Sequence, residues 1–201
     1  MLKRIRIVLW AACAIPLLAL LAVGILELTN RSNGVGALQA SGIGGPFKLA
    51  SSAGGDLSSE DLKGKPFIIF FGFTRCPEVC PTTLSDISSW LDALGPDGKE
   101  IKALFVSIDP ERDSVAAMKD YLSSFSDQII GLTGTPDQIA GVAKEYRIYY
   151  AKHPLKDGDY TMDHSAMIYL MDRQGKLVGT LTYGDKKDEA VAKLRRLLAT
   201  V

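Results

Sequence analysis

Phe70–Thr82, FFGFTRCPEVCPT, puts two of the chain's three cysteines where an apolar run ends and a helical pattern begins. Upstream, Pro66 to Phe71 is a continuous apolar run bounded by turn residues, the pattern of a strand buried on both faces. Gly72 lets the backbone turn, and Pro77 and Pro81 fix φ in a way that suits a first helical turn. A helix from about Pro77 places Cys76 at or just before its start and Cys80 about one turn later. Two sulfurs four residues apart then face the same way. Unpaired N–H groups and the positive end of the helix dipole favour thiolate over thiol there. Such a place suits soft-metal binding or thiol redox chemistry.

Outward from that stretch the elements alternate. Leu84, Ile87, Trp90, Leu91 and Leu94 recur at helical spacing up to a Gly95-Pro96 stop. Ile101 to Ile108 is the next apolar strand. Asp109-Pro110-Glu111-Arg112-Asp113 reads as a strand-to-helix turn with an internal ion pair, an acidic cluster beside the cysteines being the functional alternative. Asp113 or Ser114 caps a helix carrying Val115, Met118, Tyr121 and Leu122. Ile129 to Leu132 is a short strand, and Pro136 opens a helix with a face of Ile139, Val142 and Tyr146. Arg147 to Ala151 forms a further strand, followed by a polar loop through His153, Pro154, Asp157 and Gly158. Ser165 to Met171 and Lys176 to Tyr183 make a β-hairpin, and Asp188 to Leu198 a closing helix with Val191, Leu194 and Leu198 on one face. Before the cysteines, Phe47 to Ser51 is a short strand and Ser58 to Lys63 a small helical stretch. The order predicts an α/β fold, a mixed sheet flanked by helices.

The amino terminus has its own logic. Lys3, Arg4 and Arg6 precede Ile7 to Leu26, a run without a charge that at helical rise spans the hydrocarbon core of a bilayer. The basic flank stays in the cytoplasm and the rest is exported. The run is longer than the apolar core of a cleavable signal peptide. Residues 1–28 therefore read as an N-terminal membrane anchor. Residues 29–46, rich in Gly, Ser and Asn, read as a flexible linker, and residues 47–201 as the folded domain. Formal net charge is zero, with 23 basic and 23 acidic residues, so no basic footprint for nucleic acid is present. Cys13 lies inside the anchor, which leaves Cys76 and Cys80 as an isolated pair in an oxidising compartment, where a disulfide is the default. A bridge over four residues constrains the unfolded chain little, so a purely structural role is unattractive.

Of the two histidines, His153 sits in the polar loop and reads as surface. His164 stands in Tyr160-Thr161-Met162-Asp163-His164-Ser165, directly before an apolar strand, at a sheet edge or loop mouth. A lone histidine is more often structural than a ligand. What selects His164 is chemistry: two thiolates leave a soft metal under-coordinated, and one imidazole completes a three-ligand site. Thiolate suits Cu(I) and imidazole tolerates either copper oxidation state, whereas a structural zinc site wants a fourth protein ligand. Copper is the better fit. Asp163 is a candidate to orient the histidine from beside the site.

With those residues in place, the chain resembles the Sco (SenC/PrrC) family of membrane-anchored copper proteins that assist assembly of cytochrome c oxidase. The resemblance rests on FFGFTRCPEVCPTTL at 70–84, SIDPERD at 107–113 and YTMDHSAMIYLMD at 160–172, and covers the chain from about Phe47 to its end together with the single anchor. It implies a thioredoxin-like fold and copper, as Cu(I), Cu(II) or both, held by Cys76, Cys80 and His164, with Asp163 beside the site. The partner it implies is the copper-accepting subunit of the oxidase, with another copper chaperone or a thiol reductase upstream. With no longer presequence before the anchor, the expected location is a bacterial inner membrane with the domain on the periplasmic side.

Several functions share these residues. A metallochaperone passes copper to a docked apo-protein by ligand exchange, without turnover. A thiol-disulfide reductase cycles Cys76 and Cys80 between dithiol and disulfide to keep the recipient's cysteines reduced. The spacing usual for that redox chemistry is C-x-x-C, so the extra residue argues mildly for the chaperone. A copper or redox sensor would carry the same ligands. A peroxiredoxin-like peroxidase, suggested by Val79-Cys80-Pro81-Thr82, needs neither a cysteine four residues earlier nor the downstream Asp-His.

Overall fold

The computed structural model describes residues 42–156 and 158–200. The expected anchor and most of the linker lie outside them, and among the described residues no helix is long and apolar enough to cross a membrane.

The apolar run before the cysteines becomes β3 (Phe67–Gly72), buried at every position. It lies in a seven-stranded sheet. On one side it pairs in parallel with β4 (Lys102–Ser107), which pairs in parallel with β5 (Ile129–Thr133). On the other it pairs antiparallel with β8 (Met167–Met171), which pairs with β9 (Leu177–Thr182). The far edge is closed by β1 (Lys48–Ser51), antiparallel to β5, and β2 (Asp56–Ser58). Parallel pairing of β3, β4 and β5 requires crossovers. These are α1 (Val79–Ala93) and α2 (Val115–Leu122). Two more helices follow, α3 (Pro136–Glu145) and α4 (Lys187–Leu198). The result is the expected mixed sheet flanked by helices.

Local chemistry explains the boundaries. Ser114, not Asp113, caps α2, its hydroxyl accepting from the N–H of Ala117. Thr135 and Gln138 form a capping box around Pro136 at the start of α3, satisfying orphan donors reciprocally. The predicted apolar face of α1 is buried throughout, from Leu84 to Leu94. On α4 the buried residues are Ala190, Leu194 and Leu197 rather than Val191 and Leu198, a small alanine having taken the place of a larger side chain in the stripe.

The clearest departure from the expectation follows α3. The strand expected over Arg147 to Ala151 starts only at Tyr150 and runs on into the segment read as a polar loop, as β6 (Tyr150–Pro154), and it pairs with an unexpected strand, β7 (Tyr160–His164), as a separate two-stranded ribbon, Tyr150 opposite His164 and Pro154 opposite Tyr160. His153 and Pro154 are strand residues. Every position of the ribbon is exposed or half-buried, so its sequence lacks the apolar alternation by which a strand with one buried face is recognised.

Candidate metal centre

The carboxyl end of β3 delivers the chain to the cysteines. Gly72 is still a strand residue, and its role is space rather than a turn. A Cβ there would meet the Cys80 Sγ at 2.7 Å and the Phe105 ring at 2.7 Å, so only hydrogen lets the sulfur sit against the strand. Helix α1 begins at Val79 rather than Pro77, with Glu78 at φ −143° before it. Cys76 therefore lies in the preceding loop, its N–H donating to the Phe73 carbonyl at 3.2 Å, while Cys80 occupies the first helical turn. The two thiols differ in access: Cys76 is half-buried and Cys80 fully buried.

His164 comes from the end of β7, and its ring stands edge-on to Phe73 at 5.9 Å between centroids and tilted against Phe70 at 6.3 Å. Its Nδ1 lies 3.1 Å from the Ser165 carbonyl oxygen and its Nε2 3.7 Å from the Cys80 Sγ. The carbonyl can only accept, so Nδ1 directs its N–H to it, and Nε2 is the ring nitrogen left facing the Cys80 sulfur. The ligand atoms of Cys76, Cys80 and His164 all lie within 4.8 Å of one another, and the three residues form a potential copper site. Two soft sulfurs and one imidazole nitrogen match Cu(I) better than a hard cation.

Asp163 stands differently from its expected place. As neighbours on a strand, Asp163 and His164 point to opposite faces. The Asp163 carboxylate is 64% exposed and lies 4.0 Å from the His153 Nε2, while the Nδ1 of His164 meets Ser165. Cys76 and Cys80 are free thiols, not the disulfide expected from the sequence.

The paired sulfurs divide one acidity unequally. The Cys80 N–H donates to the Cys76 Sγ at 3.3 Å. Hydrogen bonding from the Cys80 side chain first, then from the His164 ring and the backbone at Cys80 and Glu78, brings the Cys76 thiol down to about 4 against the opposing effect of burial. Cys80 moves the other way, raised by its hydrogen bond to Cys76, by burial and by that neighbour's charge. Cys76 is thus an accessible thiolate at neutral pH and Cys80 a protected thiol. Alkylation of the metal-free protein by iodoacetamide is expected to modify Cys76 first, at a rate nearly flat from pH 5.5 to 7.5. An ordinary thiol slows by about tenfold per pH unit below its pKa. Mass spectrometry of timed reactions reads both site and rate, and a tenfold rise per unit at Cys76 would contradict the assignment.

Sequence reasoning missed what holds the loop. Asp113, fully buried, accepts from the Thr74 N–H at 3.1 Å, the Thr74 hydroxyl at 2.6 Å and the Ser107 hydroxyl at 2.6 Å. The strand-to-helix turn expected at 109–113 is present, with Arg112 paired to Asp109. Its last carboxylate, however, turns inward to brace the residue two before Cys76. The spacing of D-x-x-x-D offered a signal only in combination with the threonine, which lies 39 residues away.

Compared with known proteins, the chain matches the family model described as SCO1/SenC over residues 35–199. It is 44% identical over 142 residues to Protein SCO1, mitochondrial, of Saccharomyces cerevisiae, a match covering 69% of this chain and 48% of that protein. It is 40% identical over 136 residues to the SCO2-like protein of Rickettsia felis, covering 67% of this chain and 66% of that one. The solved structure of Bradyrhizobium japonicum ScoI with copper bound is 52% identical, with a TM-score of 0.73 over 77% of this chain and 99% of that one. The matched region spans about half the length of the mitochondrial relatives.

Proposed function

The chain belongs to the SCO1/SenC family, and on that premise we propose that it is a copper metallochaperone serving assembly of cytochrome c oxidase. The observation that carries the proposal is the convergence of the Cys76 and Cys80 sulfurs and the His164 ring within 4.8 Å. Copper is cargo in this reading. Cys76, half-exposed, gives an incoming or outgoing ion its first contact, and Cys80 and His164 complete the set from the interior side. Delivery proceeds by ligand exchange with the copper-accepting oxidase subunit, each donor of the recipient replacing one donor here. Residues 1–28 serve as the membrane anchor and 29–46 as the linker, so the domain from residue 47 works on the periplasmic face of a bacterial inner membrane.

A second reading is favoured by the unequal thiols. The Cys76 thiolate attacks a sulfur of the recipient's disulfide, and one recipient thiolate leaves. Cys80, losing its proton, then attacks the Cys76 sulfur, and the second recipient thiolate leaves. Two electrons pass to the recipient and a Cys76–Cys80 disulfide remains, to be reduced by another thiol protein. The two activities are compatible, since paired cysteines must be reduced before they take up copper.

Anaerobic titration of the full chain with Cu(I) against a competing chelator tests the chaperone reading. One equivalent bound far more tightly than by an unstructured dithiol peptide supports it. Binding equal to the peptide's overturns it and leaves the reductase.

A further inference from the structure

We propose that Arg112 is the positioning residue that sets His164 against the cysteine loop, acting through Tyr160 and Asp159. The inference rests on the three-ligand reading above and deepens it. The need for such a residue follows from the topology. His164 ends β7, which pairs only with β6 among the described strands. A two-stranded ribbon is marginal by itself; its carboxyl end is tethered to β8, the neighbour of β3, by Ser165 and Ala166, but among the described strands no hydrogen-bonded register with the main sheet fixes how the ribbon is turned toward the cysteines.

Arg112 supplies that fixation. Its side chain is only 11% exposed and pairs through Nε with Asp109, which follows β4. Its Nη1 donates to the Tyr160 carbonyl oxygen at 2.8 Å and to the Asp159 carboxylate at 3.2 Å. The guanidinium carbon lies 3.6 Å from the centre of the Tyr160 ring, and the Tyr160 hydroxyl closes the circuit by donating to Asp109 at 2.8 Å. Tyr160 and His164 are four residues apart on one strand, hence on one face. Lys152 of β6 reinforces the seat, 3.7 Å from the same ring centre and paired with Glu111 at 2.7 Å. The other oxygen of Asp159 takes Arg75 at 3.3 Å, and Arg75 adjoins Cys76. One guanidinium thus joins the end of a core strand, the ribbon that carries the imidazole and, through Asp159, the loop that carries the first thiolate. Only the planar fork of arginine meets a carboxylate, a carbonyl and a ring face at once; lysine offers a point charge.

The test is a double-mutant cycle on the full chain, read as Cu(I) affinity by chelator competition. Arg112→Lys is expected to weaken Cu(I) binding by about tenfold, as supporting partners of metal ligands do. In a His164→Ala background the same substitution is expected to change affinity less than twofold, because the ligand that it positions is gone. A merely structural role would cost the same in both backgrounds, so equal losses, or no loss in the native background, overturn the proposal. Tyr160→Phe, which keeps the ring and drops the bond to Asp109, goes through the same cycle. An expected His164-dependent loss of about threefold decides the matter should Arg112→Lys not fold, and its absence overturns the proposal. The two readings fail distinguishably. If His164→Ala alone leaves affinity unchanged, the three-ligand site falls; if it weakens binding and the Arg112 and Tyr160 effects do not depend on it, only the positioning role falls.

Discussion

His164→Ala is expected to lower Cu(I) affinity by about a hundredfold or more while leaving the fold in place. Loss of a residue that merely supports a ligand lowers metal affinity about 10- to 100-fold, and removal of a ligand should lie at or beyond the top of that range. Two thiolates remain in the variant, so binding weakens rather than disappears, and the residual affinity should resemble that of a dithiol peptide. The fold survives because the ring sits at the end of the β6–β7 ribbon, half-buried against Phe73 and Phe70, rather than within the seven-stranded sheet. Chelator competition measures the affinity, and thermal unfolding of the metal-free proteins checks the fold. Equal affinity in the two proteins would reduce the site to its sulfurs. The free thiols and the accessible Cys76 thiolate would then favour the reductase.

The imidazole also shows where sequence alone reaches its limit. The central strands β3 and β4 were legible because they are buried on both faces and read as uninterrupted apolar runs, Phe67 to Phe71 and Ala103 to Val106. Cys76, Cys80 and His164, which the fold brings within 4.8 Å of one another, could be picked out by chemistry, since few side chains complete a soft-metal set. What carries His164 to the sulfurs could not. The β6–β7 ribbon is held by Tyr160, Arg112, Lys152 and Asp109, whose polar contacts leave no period in the sequence. Asp163, adjacent to the histidine in sequence, is turned away from it by strand geometry, and the Ser165 carbonyl takes the place expected for it. Gly72 has a similar lesson. Its position after an apolar run suggests a turn, whereas the structure uses the missing Cβ to admit a sulfur that arrives eight residues later.

Asp113→Ala is expected to destabilise the protein by about 3 kcal/mol or more, and Asp113→Asn by far less. Truncation leaves the Thr74 N–H and two hydroxyls without their acceptor in a fully buried place, and each unsatisfied group of this kind costs about 1–3 kcal/mol. Asparagine keeps an acceptor for the Thr74 N–H, and a hydroxyl can rotate to accept from its amide. The pair also isolates a pH effect. Burial holds the Asp113 carboxyl above its ordinary range, against the lowering effect of the Ser107 and Thr74 hydrogen bonds. A carboxyl whose folded pKa is raised contributes stability that is fully present below its unfolded pKa and lost as pH rises through the folded one. Wild type should therefore gain stability relative to Asp113→Asn as pH falls from 7 toward 4, even though Asp61, Glu111, Asp159 and Asp185, all held low, push both proteins the other way. Urea unfolding at several pH values measures the difference. A gap between wild type and Asp113→Asn that does not move with pH would show that burial does not govern this carboxylate. A loss below about 1 kcal/mol in Asp113→Ala would show that the Thr74 loop, and with it the seat of Cys76, is held by something else.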